Sequence, residues 1–504
     1  MGTHNYPYQG EGIDVMNLLG SRGFRGAGGG TWTLIPTPPS FRATSVQVCG
    51  LWPFSGGAAR PMVGVPVGQD LEYGSTICCD PINWFRAGYS ANPSMMIYGN
   101  PGLGKSAFTV RQILGLAFQG VRPLILGDLK PDYPDVIRAL GGQVMRFGEG
   151  QRLNVLDQGA MLQASDRIGG EAGARLLEQA LQRTTTMISS LIQIMRRARM
   201  DDWEQALISR AVRTLDEKHR RQRGEPPLLN DLAALLREPT QELLRATLAD
   251  DVDEYRQTTK PLSRSLEALL EGPLGRTFGG QTSERIRTDA PGVCVDVSAV
   301  AKQSDDVMAA IMLATWSEGF ASVEAANALS DAGLAAQRNF LVVMDEMWRP
   351  LRIEGAGLVD KMDGITRLNR AEGVGNIYIA HTPKDQESMT SRADAMKARG
   401  FTERAGIVVA AGLSIDDLQS LSKVKPMSDV EIDTVARWNT PPGWRQKMVT
   451  DLRTGKRRPA PPPGCGKVLI KLGDRAGIQT QVKLTQAELD MHDTNARWLA
   501  EQIV

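Results

Sequence analysis

The stretch SMMIYGNPGLGKSAFTVRQILGLAF, Ser94 to Phe118, decides the fold. It reads as a short apolar strand, a glycine-rich turn and a helix. Within it Gly99-Asn100-Pro101-Gly102-Leu103-Gly104-Lys105-Ser106 matches GxxxxGK[ST] in the strand-to-helix context that a phosphate-binding loop requires. Backbone N–H groups wrap a phosphate only where the chain can take positive φ and approach closely, which Gly99, Gly102 and Gly104 permit. The helix opening at Ser106 and Ala107 aims its positive end at the anion. Lys105 would neutralise the β- and γ-phosphates, and the Ser106 hydroxyl would ligate Mg2+. The alternative is a chance match in a glycine-rich chain, which the strand before the loop and the helix after it weigh against. Gly99 to Ala107 are therefore the expected ATP-binding residues, and binding alone does not establish hydrolysis.

Outward from this loop, short apolar runs alternate with helical stretches, the signature of an α/β fold with a mainly parallel sheet and crossover helices. The runs are Ser94 to Tyr98, Pro123 to Leu126, Gly292 to Val297, Phe340 to Met344, Asn376 to Ala380 and Gly406 to Ala410. Between the second and third lies a segment without a convincing strand, whose Leu177, Leu181, Ile188, Leu191, Ile192 and Met195 share one helical face. Another helical row, Leu262, Leu266, Leu269 and Leu270, leads to a stop at Gly272, expected as a C′ glycine. Residues 158–272 are read as an all-α domain inserted into a sheet domain made of 93–157 and 273–504. Residues 1–92, with GSRGFRGAGGG and IPTPPS between β-prone pieces at Thr31 to Leu34 and Ser45 to Val48, are read as a flexible tail and small β-rich lead-in. The proline run Pro459 to Gly466 leads into an expected last hairpin, Lys467 to Leu484.

Phe340-Leu-Val-Val-Met-Asp345-Glu346 is an apolar strand ending in two acids, the form of a Walker B motif. Asp345 would order the magnesium-bound water and Glu346 would activate the attacking water. A strand-end acid pair opening a helix is the bland alternative. The strand Asn376 to Ala380 ends in His381, and a polar side chain there can reach the γ-phosphate and report hydrolysis. A lone histidine is more often a satisfied structural residue.

Composition bounds the rest. The chain has 504 residues, 58 Lys+Arg against 57 Asp+Glu, 42% hydrophobic and 23% charged residues, so no global basic field exists to hold nucleic acid or acidic lipid. Cys49, Cys78, Cys79, Cys294 and Cys465 form no CxxC or cluster with the four histidines, which argues against zinc and a disulfide framework and fits a reducing compartment. Neither a signal peptide nor a membrane span is expected.

The order of phosphate loop, strand ending in Asp128 (LILGDLKPDY), helical insertion, strand ending in Asp296 (VCVDVSAVA), Walker B and polar strand end resembles the FtsK/HerA superfamily. Within it the likeness is to ATPases of type IV secretion and conjugative DNA transfer, through VPVGQDL, CDPINWF, GNPGLGKS and HDTNARW, as found in conjugative elements of high-GC Gram-positive bacteria. It covers roughly Val65 to Trp498. The resemblance implies a RecA-like P-loop motor domain in a homo-hexameric ring with ATP between subunits. It also implies partners in a secretion channel or conjugation complex, and a cytoplasmic place at the inner face of the membrane, reached peripherally through those partners. The family usually places Gln where His381 stands. An arginine finger is implied shortly before that strand, at Arg370, with Arg367 its nearest rival and Arg475 in the late hairpin a weaker one. The larger N-terminal docking domain of such proteins is expected to be reduced or absent.

From Arg183 to Arg223 ten Lys+Arg face five Asp+Glu, and from Gly224 to Glu271 five face ten. The basic spots Arg196, Arg197, Arg199, Arg220, Arg221 and Arg223, and the loop cluster Lys456-Arg457-Arg458, are candidates for DNA contact, solvated faces or pairing between ring subunits. The leading expectation is an ATPase energising secretion or conjugation. The competing ones are a DNA-translocating pump or coupling protein and a nucleotide-binding assembly scaffold with little turnover.

Overall fold

The computed structural model describes residues 60–491, apart from 149, 223, 354–357, 360–361, 363–371, 390, 440–447, 451–456 and 461, together with the strand pair Leu19–Gly20 and Gly23–Phe24. Thr31 to Leu34, Ser45 to Val48, Arg367, Arg370, Lys456 and HDTNARW lie outside the described residues.

Every apolar run becomes a strand of one 11-stranded sheet. In chain order the strands are β1 (Pro66–Asp70), β2 (Thr76–Cys78), β3 (Ser94–Gly99), β4 (Arg122–Asp128), β5 (Gln143–Arg146) and β6 (Val293–Asp296). They continue with β7 (Phe340–Asp345), β8 (Val374–Ala380), β9 (Ile407–Ala411), β10 (Lys467–Leu472) and β11 (Ile478–Val482). Their spatial order is β2-β1-β11-β10-β9-β3-β8-β7-β4-β6-β5. From β9 to β5 all pairs are parallel, and from β9 to β2 all are antiparallel. Strands β1 and β2 of the lead-in thus form an edge of the main sheet, where Thr480 pairs with Asp70, while Leu19–Gly20 and Gly23–Phe24 pair only with each other. The short strand β5 was hidden in the sequence by its mixed QVMR composition.

The central strands are buried on both faces, as parallel strands covered by helices must be. Side chains alternate between two cores. Met95, Ile97, Leu341, Val343, Ile377 and Ile379 pack with α1 (Pro81–Arg86), α2 (Lys105–Phe118) and α3 (Pro134–Ala139). Met96, Tyr98, Val342, Met344, Tyr378 and Ala380 face the other way, into a larger core shared with the helical segment.

That segment runs α4 (Gly159–Ile168), α5 (Gly170–Arg196), α6 (Asp202–Gln222), α7 (Leu229–Arg237), α8 (Gln241–Ala246), α9 (Val252–Glu271) and α10 (Pro273–Phe278), with no strand among its described residues. Leu181, Ile188, Leu191 and Ile192 are buried with Leu207, Ala211 and Leu215 of the next helix, as the i+3/i+4 pattern requires. Gly272 ends α9, but at φ −78° and ψ −177° it is extended and not left-handed. The reason is Pro273, which opens α10 and forces the preceding residue out of the helical region. The buried helix α11 (Asp305–Asp331) packs the segment against the sheet.

The basic excess of residues 183–223 is largely matched by acids from elsewhere in the chain. Arg183 pairs with Glu324, Arg196 with Glu204, Arg197 with Asp306, Arg213 with Glu178, Arg220 with Asp166 and Arg221 with Glu217. A count along the sequence cannot see partners that arrive from other helices.

Candidate functional site

The parallel strands β3, β4, β7, β8 and β9 all end on one side of the sheet, where open α/β sheets place their ligands. The phosphate loop leaves β3 there. Gly102 at φ 78° and Gly104 at φ 100° take the left-handed conformation that makes the turn. Neighbouring strand ends hold the loop from behind: Gly99 N donates to His381 O at 3.2 Å, and Asn100 N to Gly412 O at 3.1 Å. Asn100 Nδ2 donates to Asn439 Oδ1 at 3.0 Å, and Leu103 O accepts from Gly466 N at 3.0 Å. Pro101 and Gly102 face solvent, and Ser106 and Ala107 stand half-buried at the start of α2.

Lys105 is 8% exposed. Its Nζ donates to Gly99 O and contacts His381 Nδ1 at 3.2 Å, and among the described residues no carboxylate lies within ion-pair distance. Burial pulls its ammonium down to about 8, against the opposing pull of Asp345 and Glu346. A buried cation held by neutral acceptors at a helix N-terminus is a site completed by an anion. Ser106 Oγ donates to Asp132 Oδ2 at 2.9 Å.

The strand β8 lies between β3 and β7, so His381 at its end stands between Lys105 and the acids. Asp345 is buried. Desolvation and then the Glu346 charge raise its carboxyl to about 6, and Tyr133 donates its hydroxyl to Oδ2 at 3.2 Å. Glu346 has φ 53°, in the left-handed region, a conformation that costs a non-glycine residue about 1–3 kcal/mol and collects at functional sites. Burial would raise its carboxyl, but hydrogen bonds from His381 and Lys130 outweigh it and hold the group at about 2. His381 Nε2 lies 2.5 Å and Lys130 Nζ 2.8 Å from Glu346 Oε1.

Lys130, Asp132 and Tyr133 were not singled out from the sequence. They sit on the turn after β4, which Asp128 builds by accepting from Lys130 N at 3.2 Å and Tyr133 N at 3.0 Å. Burial raises the Asp128 carboxyl to about 7. The polar cluster GDLKPDY at the carboxyl end of a central parallel strand was the available signal. Asp296, at the end of β6, accepts from Ser298 N and faces Arg146 at 3.4 Å. Arg475 is exposed in the β10–β11 turn, at the end of the sheet away from the phosphate loop of its own chain, because β10 runs antiparallel to β9. No group of three His, Cys, Asp or Glu among the described residues could hold a metal ion by itself. No helix among them is long and apolar enough to cross a membrane.

No family model and no curated protein sequence matches the chain. Among solved structures, VirB4 of Thermoanaerobacter pseudethanolicus superposes with a TM-score of 0.61 at 18% identity, covering 86% of this chain and 100% of that one. The plasmid coupling protein TrwB in complex with the ATP analogue ADPNP gives a TM-score of 0.44 at 12% identity, covering 78% of this chain and 86% of that one. The mainly parallel α/β sheet, the helical segment and the strand ends that carry the site therefore belong to a chain with the fold of VirB4.

Proposed function

We propose that this chain is a Mg2+-dependent ATPase, working as a homo-hexamer, that powers a type IV secretion or conjugative DNA-transfer machine. The observation that carries the ATPase reading is Lys105: a buried ammonium without a carboxylate partner among the described residues, at the mouth of a glycine loop and beside an acid pair. The fold shared with VirB4, and the motif order, support the machine it would serve. In this reading 93–157 and 273–504 form the motor domain and 158–272 the inserted all-α domain. The ring meets the secretion complex peripherally, at the cytoplasmic face of the membrane.

The residues fit the chemistry. Lys105 and the N–H groups of Gly102 to Ser106 bind and orient the β- and γ-phosphates. Ser106 and Asp345 would hold Mg2+, a pair of oxygen donors suited to an ion that keeps waters and shares phosphate oxygens. Bound there, Mg2+ supplies neutralisation of phosphate charge. Tyr133 restrains the Asp345 carboxylate by donating to its Oδ2. Glu346 accepts the proton of the attacking water, and His381 links Glu346 to Lys105 across one imidazole ring.

The test is turnover. The purified protein should hydrolyse ATP with Mg2+, and Lys105→Ala and Glu346→Gln should each lower kcat by at least about 100-fold. Glu346→Gln should retain nucleotide. A rate unchanged by either substitution refutes the reading.

A further inference from the structure

The carboxylate meant to activate water is engaged. Glu346 Oε1 alone takes both Lys130 Nζ at 2.8 Å and His381 Nε2 at 2.5 Å. The neighbours of His381 assign its tautomer: Nδ1 accepts from Lys105, so Nε2 carries the hydrogen and donates to Glu346. Lys130 Nζ lies 3.5 Å from the same Nε2, and with both groups donors the two meet through Glu346. Two ammonium groups thus flank one imidazole, Lys105 on the phosphate-loop side and Lys130 on the carboxylate side.

Lys130 differs from Lys105 in freedom. Its side chain is 54% exposed, on a four-carbon stem that rises from the Asp128 turn. We propose that Lys130 is a latch on Glu346 that the γ-phosphate releases. Without nucleotide, Lys130 sits on Glu346 Oε1 beside His381. A triphosphate seated at Lys105 presents a second anion across the imidazole, and Lys130 exchanges from the carboxylate to that phosphate. Glu346 then keeps only the His381 contact, and the ammonium that covered its Oε1 is gone. A diphosphate stops short of Lys130 and leaves the latch closed. Lys130 thus contacts Glu346 in one state and the γ-phosphate in the other, and the scheme rests on the ATPase reading above.

The experiment compares dissociation constants of ATPγS and ADP, with Mg2+, for the full chain, Lys130→Ala, Lys130→Arg, Glu346→Gln and the double variant Lys130→Ala/Glu346→Gln. Lys130→Ala should weaken ATPγS by about tenfold and leave ADP unchanged, the loss of one charge-assisted contact. Lys130→Arg should recover most of the preference for the triphosphate. Glu346→Gln removes the competing charge and should tighten ATPγS severalfold, a gain that disappears in the double variant. Equal effects of Lys130→Ala on the two nucleotides, no effect, or a Glu346→Gln gain that survives loss of Lys130 overturns the latch while leaving nucleotide binding intact. Failure of the parent chain to bind either nucleotide, or Lys105→Ala binding as well as the parent, removes the underlying site as well.

Discussion

Nucleotide binding should draw a proton from solvent in alkaline buffer, and Lys105 should supply the place for it. In the free chain burial pulls its ammonium down to about 8. A phosphate in the loop stabilises the charged form, returning the group to the ordinary lysine range near about 10.4. At about pH 9 Lys105 is then roughly one-tenth protonated when free and nearly fully protonated when occupied, so binding takes up about 0.9 proton. At about pH 7 both states are charged and the uptake through Lys105 falls to about 0.1. The sign follows from a free-state pKa lower than the bound one: affinity is complete below about pH 8 and falls as pH rises. Between about pH 8 and about pH 10 the loss is roughly 30- to 40-fold. Titration calorimetry with ATPγS in two buffers of different ionisation enthalpy reads the proton count directly. Uptake near zero at about pH 9, or the same uptake in Lys105→Met, refutes the assignment of a buried, partner-seeking ammonium.

Two further outcomes are expected. Asp345, raised to about 6 by burial and by Glu346, must lose its proton to hold Mg2+; the Mg2+ concentration for half-saturation should rise about tenfold from about pH 7 to about pH 5, and this component should vanish in Asp345→Asn when nucleotide-bound Mg2+ is titrated. Arg370 lies outside the described residues, and its assignment as a finger rests on the resemblance: mixed rings of Arg370→Ala and Glu346→Gln subunits, verified by mass, should regain part of the ATPase rate lost in each alone, and absence of any regain rejects the shared site.

What the sequence made legible was local. The phosphate loop, Asp345, Glu346 and His381 each sit within a few residues of a strand whose apolar run announces it, and all four positions lie at the ends of β3, β7 and β8 as read. What it hid was distant pairing. Lys130 meets Glu346 across 216 residues of chain, and Tyr133 meets Asp345 across 212. No spacing rule links positions so far apart. The same holds for β1, whose partner β11 lies about 400 residues downstream. The linear charge count misled for a related reason, since Arg197 is neutralised by Asp306 from a helix beyond the segment counted. Gly272 shows the converse case, where a locally sound cap reading yields to the proline that follows it.

The contact between Leu103 and Gly466 sets an order of events in the life of the chain. A ribosome delivers the phosphate loop early, but the backbone N–H that holds Leu103 O is translated more than 360 residues later, together with the strands that lock β1 to the sheet. Until β10 and β11 leave the exit tunnel, the nascent loop lacks its contact to Gly466 and β1 has no long-range strand partner. A ribosome stalled before Gly466 would therefore present the parallel strands and a loop already held by His381 and Gly412, but neither the Leu103 contact nor the antiparallel edge of the sheet.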